Sequence, residues 1–398
     1  MTSMEYYLIS AAKAAILMGG LLLTLLYLQW IERKVIAHVQ VRIGPSRVGP
    51  HGLLQPVADS LKLLLKEDLV PPHANKFLYL LAPFLAVTLS LLSFAVIPFG
   101  PEIEVLGVRT RMQLADLDIA VLFVLAVSSL TVYAVVLAGW SSNSKYPLLG
   151  GLRSAAQMIS YELPLALAVA APLLLANSLN LREIVERQDG FYLGLLPRWN
   201  LLRLPAPQLL GFLLFGVAMF AETNRIPFDL PEAENELVAG FHAEYSAMKF
   251  AAFFMAEYAN MITVSAMATL LFLGGWLPPL PARYGADLLP PLAAAGTGAL
   301  ALYHGLHPAR PRDRRTLPAA AAAFFALALL LLLPPLRPLL LPPFWFLAKV
   351  GLLLWVFMWV RGTLPRFRYD QLMRFAWGFL FPAAVLNLLA TGLLVALF

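Results

Sequence analysis

The chain has 398 residues, of which 60% are hydrophobic and only 13% are charged; its mean hydropathy is +0.75 and its net charge +6. So few charges cannot solvate a globular surface of this size, which excludes a soluble domain. The lack of cysteine excludes disulfides, thiolate zinc sites and cysteine-held iron–sulfur clusters. The composition predicts an integral membrane protein with an all-α fold, because in lipid a helix satisfies the hydrogen-bonding groups of its own backbone.

Apolar runs of the roughly 20 residues that a helix needs to cross a bilayer recur along the chain. No small-residue cleavage motif follows the first run, which indicates a retained span. A proline-rich stretch at 277–343 is interpreted as an insertion of two extra spans between a membrane core (1–276) and a C-terminal span pair (344–398). The sequence thus predicts about ten spans in a polytopic bundle, at 9–30, 77–98, 117–138, 159–177, 208–221, 249–274, 286–306, 318–341, 344–361 and 376–397.

The distribution of basic residues predicts the orientation. With the N-terminus outside, the inside loops contain 19 Lys and Arg and the outside segments 8. This bias follows the positive-inside rule, so the net charge indicates topology and not nucleic-acid binding. The four arginines of 307–317 also fall inside if both insertion spans cross. No internal repeat is evident, which weighs against a repeat-built transporter.

The first inside loop, 31–76, contains two helix-breaking Gly-Pro pairs and then an amphipathic pattern. The apolar stripe of that pattern consists of Val57, Leu61, Leu64 and Leu65. Asp59, Lys62 and Lys66 occupy another face, which is typical of a helix that lies in the membrane interface. A plain lipid anchor is the alternative interpretation of this helix.

The second inside loop, 139–158, is rich in small and polar residues. Gly150 and Gly151 are expected to allow close packing and a sharp turn. Glu162 follows just inside the next predicted span, where a charge is costly unless it faces protein or water. We interpret Glu162 as functional, and a structural carboxylate satisfied by Arg153 is the alternative.

The third inside loop is the most acidic part of the chain. Its acids are Glu222, Asp229, Glu232, Glu234, Glu236 and Glu244. A capping box from Asp229 to Glu232 explains some of them as helix-starting residues. It leaves Glu222 and Glu244 unexplained, as well as Glu257, which lies within the next span. Closely spaced carboxylates that are poorly solvated share protons near neutral pH, so this series of acids predicts a proton path.

Two charges lie within predicted spans, Glu257 and Lys349. An ionisable residue at membrane depth is a functional candidate by default. A structural pair in which the two residues satisfy each other is the alternative.

Four stretches together resemble one family, the membrane subunit of respiratory complex I that is designated H in bacteria and 1 in mitochondria. They occur in the family order and span all the main inside loops. The stretches are "ERKVIAHVQVRIGPSRVGPHGLLQPVADSLKLLLKED", "GWSSNSKYPLLGGLRSAAQMISYELP", "AETNRIPFDLPEAENELVAGFHAEYSAMKFAAFFMAEY" and "GTLPRFRYDQLMRFAWGFLFP".

The resemblance implies a subunit that forms the entrance and inner walls of a quinone chamber. It also implies that quinone reduction is coupled to proton translocation through a carboxylate channel. The channel residues it implies, with the intramembrane lysine added, are Glu162, Glu222, Arg225, Glu232, Glu234, Glu236, Glu244, Glu257 and Lys349. The entrance residues it implies are Glu32, Arg33, Arg42, Asp59, Lys62 and Glu67. Arg361, Arg366 and Arg368 would lie near the interface with the peripheral arm.

The same resemblance implies which groups the chain lacks and which partners it has. We expect no metal and no bound cofactor, with a quinone as substrate and the redox centres on other subunits. The implied partners are the peripheral quinone-site and iron–sulfur subunits, neighbouring small membrane subunits and the lipid of a bacterial plasma membrane, with the charged loops cytoplasmic. The alternatives are a related subunit of a hydrogenase- or ferredoxin-linked complex, a stand-alone secondary transporter, or a purely structural anchor.

Two features depart from the family pattern. Some members carry a carboxylate in the third span near Ser128 and Ser129, where this chain has none. Any step that needs that carboxylate must therefore use another residue. The stretch from about Leu280 to Pro343 is expected to have no counterpart in the family.

Overall fold

The computed structural model describes residues 3–105, 108–229, 240–308 and 313–397. Over these residues the chain is mostly helical. The helices are α1 (Ser3–Val39), α2 (Gln55–Leu65), α3 (Lys76–Leu92), α4 (Ala120–Ser141), α5 (Lys145–Ala176), α6 (Leu181–Glu186), α7 (Leu209–Glu222), α8 (Ala247–Phe272), α9 (Leu289–Leu306), α10 (Asp313–Leu332), α11 (Arg337–Thr363), α12 (Tyr369–Phe375) and α13 (Phe381–Leu397).

Two short antiparallel hairpins are the exceptions to the all-α prediction within these ranges. In the first, β1 (Glu102–Val105) pairs with β2 (Val108–Arg111), so that Glu102 lies opposite Arg111. In the second, β3 (Phe191–Tyr192) pairs with β4 (Leu196–Pro197). Both lie in segments predicted to be outside, and neither enters the bundle.

The prediction of an all-α polytopic bundle is confirmed, and a helix occupies each of the ten predicted span positions. Within the described residues, eight helical segments are long and apolar enough to cross a membrane. Two predicted spans fall outside that set: α7, which has 14 residues, and α9, which has 18. The short α7 proves important for the site described below.

Helix α5 lies at the centre of the bundle and packs against α4, α7 and α13, while α3 packs against α4 and α8. Large side chains such as Tyr161 and Phe215 are fully buried between these helices. The predicted turn at Gly150 and Gly151 is wrong, because both residues lie inside α5. The expected close packing is present instead, since a Cβ added to Gly139 would lie 2.5 Å from the carbonyl oxygen of Pro147.

Gly150 brings α5 against the later part of the third inside loop, which spans 222–249. A Cβ at this position would lie 2.8 Å from the backbone of Gly240 and from the nitrogen of Phe241. Backbone atoms cannot move aside as a flexible side chain can. The absence of a side chain at Gly150 is therefore what allows this contact.

The proline-rich stretch forms a helical hairpin, α9 and α10, which packs mainly on itself. Glycines allow the two helices to approach closely, with Gly298 facing Phe325 and Gly305 facing Pro318. At the start of α10, the His51 ring nitrogen Nε2 lies 2.9 Å from Thr316 Oγ1 and 3.5 Å from a carboxylate oxygen of Asp313. His51 belongs to the first inside loop, so this contact places the first turn of α10 on the same side as that loop.

We predict that single-cysteine variants label from opposite sides at the two ends of this hairpin. The natural chain has no cysteine, so a membrane-impermeant maleimide labels no other position of this chain. Arg315→Cys should react only from the side on which Lys62→Cys reacts, and Tyr284→Cys only from the other. Reaction of Arg315→Cys and Tyr284→Cys from one side would show that the hairpin does not span the membrane.

We also predict that Gly150→Ala is far more damaging than Gly216→Ala. The new methyl group at position 150 overlaps backbone, and overpacking of this kind typically costs about 1–3 kcal/mol. Gly216 in α7 has nothing within 4 Å of an added Cβ. The yield and thermal unfolding midpoint of the assembled complex measure the difference, and similar values for the two variants would refute the close contact.

Candidate functional site

Helix α7 is too short to cross a membrane by itself. Its 14 residues extend about 21 Å, whereas the hydrocarbon core is roughly 30 Å thick. The chain continues without helical structure from Thr223 to Asp229, and Thr223, Arg225, Phe228 and Asp229 are all buried. Non-helical backbone at membrane depth is tolerated only where protein or a cavity surrounds it. The sequence after α7 is thus held inside the bundle.

A single glutamine of α5 fixes this buried segment. Gln157 is fully buried, and its Nε2 lies 2.9 Å from the carbonyl oxygen of Ala221, 2.7 Å from that of Phe228 and 3.1 Å from Asn224 Oδ1. Thr223 Oγ1 also donates to the Met219 carbonyl at 3.0 Å. These bonds satisfy carbonyl groups that the end of a helix leaves without partners. They also set the position of Arg225.

Arg225 is the centre of a buried charge network. Its Nη1 lies 3.2 Å from Glu32 Oε1 of α1, and its Nε lies 2.6 Å from Glu257 Oε1 of α8. The guanidinium also lies 4.2 Å from the ring centroid of Tyr258, a cation–π contact. A guanidinium group is not deprotonated in proteins, and here two carboxylates stabilise its charge. Arg225 therefore remains a fixed cation.

Glu32 is the most heavily bonded carboxylate of the network. Its Oε1 accepts hydrogen bonds from Arg225 and from Arg361 of α11, and its Oε2 accepts one from the Tyr258 hydroxyl at 2.6 Å. Glu32 is only 3% exposed. Two arginines and two glutamates balance each other, and such compensation is what makes a buried ionic cluster tolerable.

Sequence reasoning missed two members of this network. Tyr258 follows Glu257 directly, but a tyrosine in an apolar span gives no signal of its own. Arg361 is expected near the interface with a peripheral arm, which stays a prediction, and its contact with Glu32 gives no signal in the sequence. Arg366 likewise contacts Asp229, with Nη2 2.8 Å from Oδ2. Arg361, in the last turn of α11, and Arg366, in the loop that follows it, therefore each contact an acid of the bundle.

Two further acids sit beside α4. Glu222, at the end of α7, accepts a hydrogen bond from Ser128 at 2.8 Å, and Glu162 of α5 contacts Ser129. Glu222 is 6% exposed and Glu162 is half-buried. Arg153, the alternative partner of Glu162, lies about 6.0 Å from the ring of Tyr369.

A cavity of about 60 Å³ separates Glu222 from Glu257. It lies between α3, α4, α7 and α8, and its volume exceeds the space that one water molecule requires. Its polar lining consists of Ser90, Thr131, Glu222, Thr223, Asn224, His242, Glu257 and Asn260. The cavity thus joins the Arg225 network to the acids beside α4.

The remaining acids of the predicted channel belong to the third inside loop. Glu232, Glu234 and Glu236 lie outside the described residues, so their predicted role stays a prediction. Glu244 is half-buried, and its backbone carbonyl accepts a hydrogen bond from Tyr79 at 2.7 Å.

Lys349 is not near these acids. Its Nζ donates to the carbonyl oxygens of Leu273, Gly275 and Leu277 at 2.6, 2.8 and 2.7 Å, and it lies 4.1 Å from the ring centroid of Trp199. Those carbonyls follow the end of α8, about 24 Å along the helix from Glu257. A mutual pair with Glu257 is therefore wrong, and Lys349 closes the C-terminal end of α8.

The predicted entrance residues divide into two groups. Glu32 belongs to the network, whereas Arg33 forms an ion pair with Asp59 of α2, with 2.7 Å between Nη1 and Oδ2. Arg42 donates to Gln40 at 2.8 Å. Lys62 and Glu67 are exposed. The predicted amphipathic helix is present as α2, and its apolar stripe is uncovered in the isolated chain.

Within the described ranges, no group of three or more His, Asp or Glu side chains is arranged to hold a metal ion. What the bundle does contain is a neutralised cluster of acids and bases, an adjoining polar cavity and an interfacial helix. Together these features define a polytopic membrane subunit with an internal ionisable network.

The chain belongs to the NADH dehydrogenase family, whose profile matches residues 12–392, and within complex I it is a membrane subunit of the H type. It is 65% identical over 392 residues, 98% of each chain, to the first H-type NADH-quinone oxidoreductase subunit of Solibacter usitatus (strain Ellin6076). It is 45% identical to the second such subunit of Koribacter versatilis (strain Ellin345), over 98% of each chain. It is 44% identical to the first such subunit of Geobacter sulfurreducens, over 99% of this chain and 97% of the relative.

The Solibacter relative corrects one expectation. The stretch from about Leu280 to Pro343 does have a counterpart in relatives, because the Solibacter protein matches 98% of this chain. The hairpin of α9 and α10 is therefore shared within this part of the family.

We predict that Arg225→Gln strongly destabilises the assembled complex, while Arg33→Gln does not. The first change removes the counter-charge of Glu257 and one of the two arginines that pair with Glu32, and breaking a buried ion pair costs about 3–5 kcal/mol. The Arg33 side chain is 51% exposed, and exposed ion pairs contribute about 0–1 kcal/mol. Thermal unfolding of the purified complex measures both effects, and an equal loss in the two variants would contradict the network.

Proposed function

We propose that this chain couples the reduction of a quinone, carried out on partner subunits, to proton movement through its buried carboxylates. The chain is a subunit of an oxidoreductase complex, and in this proposal it contributes no redox centre of its own. The observation that supports the proposal best is the Arg225 network, which shares a polar cavity with Glu222.

The proposed coupling is electrostatic. Reduction of the quinone headgroup creates negative charge or a demand for protons in a poorly solvated chamber beside the network. Charges interact more strongly there than in water, so the change is felt over several ångströms. Glu32 and Glu257 compete for one fixed cation, Arg225, so a proton gained or lost by either acid redistributes the pairing. The cavity then offers a route from Glu257 to Glu222.

The proposed path uses a subset of the predicted channel residues. Glu162, Glu222, Arg225 and Glu257 form it together with Glu32, and we propose that the acids of the third inside loop, including Glu244, continue it toward the inner side. Lys349 lies outside it, because its ammonium group is bound to the carbonyls beyond α8.

The quinone is proposed to enter from the lipid between α1 and α2. The exposed apolar stripe of α2, with Leu61 and Leu64, suits an isoprenoid tail or lipid chains. The Arg33–Asp59 pair holds α2 against α1 and sets the width of this opening. Arg42, Lys62 and Glu67 would border its inner side.

The proposed setting is a bacterial plasma membrane, with the N-terminus outside and the charged loops in the cytoplasm. Peripheral quinone-site and iron–sulfur subunits would dock on those loops, and small membrane subunits would flank the bundle. A subunit of a hydrogenase- or ferredoxin-linked complex is the main alternative. The three relatives are each named as subunits of NADH-quinone oxidoreductase, which favours the quinone assignment.

We predict that Glu222→Gln and Glu257→Gln each lower proton translocation coupled to NADH oxidation while the complex still assembles. Glutamine keeps the shape of the side chain but carries no exchangeable carboxyl proton. A loss on the order of 10-fold corresponds to about 1.4 kcal/mol on the limiting barrier. Proton uptake and NADH oxidation in proteoliposomes provide the measurement.

Glu186→Gln is the matched control, because its carboxylate pairs with Arg182 in an exposed segment on the other side of the bundle. That variant should retain full coupling. Full proton translocation in both Glu222→Gln and Glu257→Gln would refute the proposed function.

A further inference from the structure

Two consecutive serines of α4 each contact an acid from a different helix. Ser128 Oγ donates to Glu222 Oε1 of α7 at 2.8 Å, and Ser129 Oγ contacts Glu162 Oε1 of α5. Consecutive helical residues differ by only about 1.5 Å along the axis, so the two acids meet α4 at nearly the same depth. We propose that Ser128 and Ser129 form a hydroxyl bridge that transfers protons between Glu162 and Glu222. This inference rests on the proposed function.

Ser129 has two competing acceptors for one hydrogen. Its Oγ lies 2.9 Å from the carbonyl oxygen of Leu125 and also contacts Glu162. A hydroxyl carries a single proton and two lone pairs. When that proton points to Leu125, the contact with Glu162 is a hydrogen bond only if Glu162 donates its own proton. When Glu162 is ionised, the hydroxyl turns toward it. The orientation of Ser129 therefore follows the protonation of Glu162.

Glu222 has the complementary arrangement. Its Oε1 accepts from Ser128, while its Oε2 is buried without a hydrogen-bond partner among the described residues. Glu222 also lines the polar cavity that extends to Glu257. A proton delivered by Ser128 thus reaches an acid that faces the Arg225 network on its other side.

The transfer conserves protons at each group. It begins with Glu162 as a carboxylic acid and Glu222 as a carboxylate. Ser129 accepts the proton of Glu162 and releases its own hydrogen to a water molecule, which passes a proton on to Ser128, since the two hydroxyls share no hydrogen bond of their own in the described structure. Ser128 accepts that proton and releases its own to Glu222. At the end Glu162 is a carboxylate, Glu222 is a carboxylic acid, and both serines are again neutral hydroxyls.

The experiment compares valine with threonine at each position in the assembled complex. The two side chains have nearly the same shape, but only threonine has a hydroxyl. Ser128→Val and Ser129→Val should each lower protons translocated per NADH oxidised about 10-fold. Ser128→Thr and Ser129→Thr should stay within about 2-fold of the natural chain. The valine double variant should lose no more than the worse single variant, because the two residues act in series.

Equal coupling in the valine and threonine variants would overturn the bridge, whether both are high or both are low. Ser128→Ala and Ser129→Ala repeat the comparison without a branched side chain if a valine variant does not assemble. Glu222→Gln and Glu257→Gln are measured in parallel. Loss of coupling in Glu222→Gln with full coupling in the valine variants refutes the bridge alone, whereas full coupling in all of them refutes the proposed function as well.

Discussion

A charge inside a lipid-embedded bundle must be neutralised by other protein groups, and this constraint shapes the interior of the chain. Arg225 carries a positive charge into the bundle because α7 ends early. Glu32 and Glu257 compensate that charge from α1 and α8, and Arg361 completes the balance from α11. Four separate parts of the sequence therefore meet at one ionic cluster, in which two arginines balance two glutamates.

The same constraint distinguishes two kinds of buried charge. Lys349 is surrounded by three carbonyl oxygens and has no carboxylate among its hydrogen-bond partners in the described structure. Such a site holds one cation in one place. Glu222 instead has a single serine donor and an adjoining cavity, so the surroundings accommodate a change in its proton content. The first arrangement suits a structural role and the second suits transfer.

Hydropathy is sufficient to predict a helix at each of the ten span positions, because a helix needs a long apolar run to cross lipid. The sequence also predicts the functional acids, since a carboxylate such as Glu257 is rare within an apolar span. The roles of Ser128, Ser129 and Tyr258 were not predictable, because each depends on a partner from another helix. Gly150 misled for a related reason: a glycine pair suits both a turn and a tight helix contact, and only the position of Gly240 decides between them.

The position of Glu32 has a consequence for the biosynthesis of the chain. Its three partners, Arg225, Tyr258 and Arg361, lie 193, 226 and 329 residues further along. A ribosome therefore delivers α1 to the translocation machinery long before any of them exists. Until the later helices are inserted, the Glu32 carboxylate must either remain in the headgroup region or be protonated. The ionic cluster can therefore form only after the last of these residues, Arg361, has been synthesised.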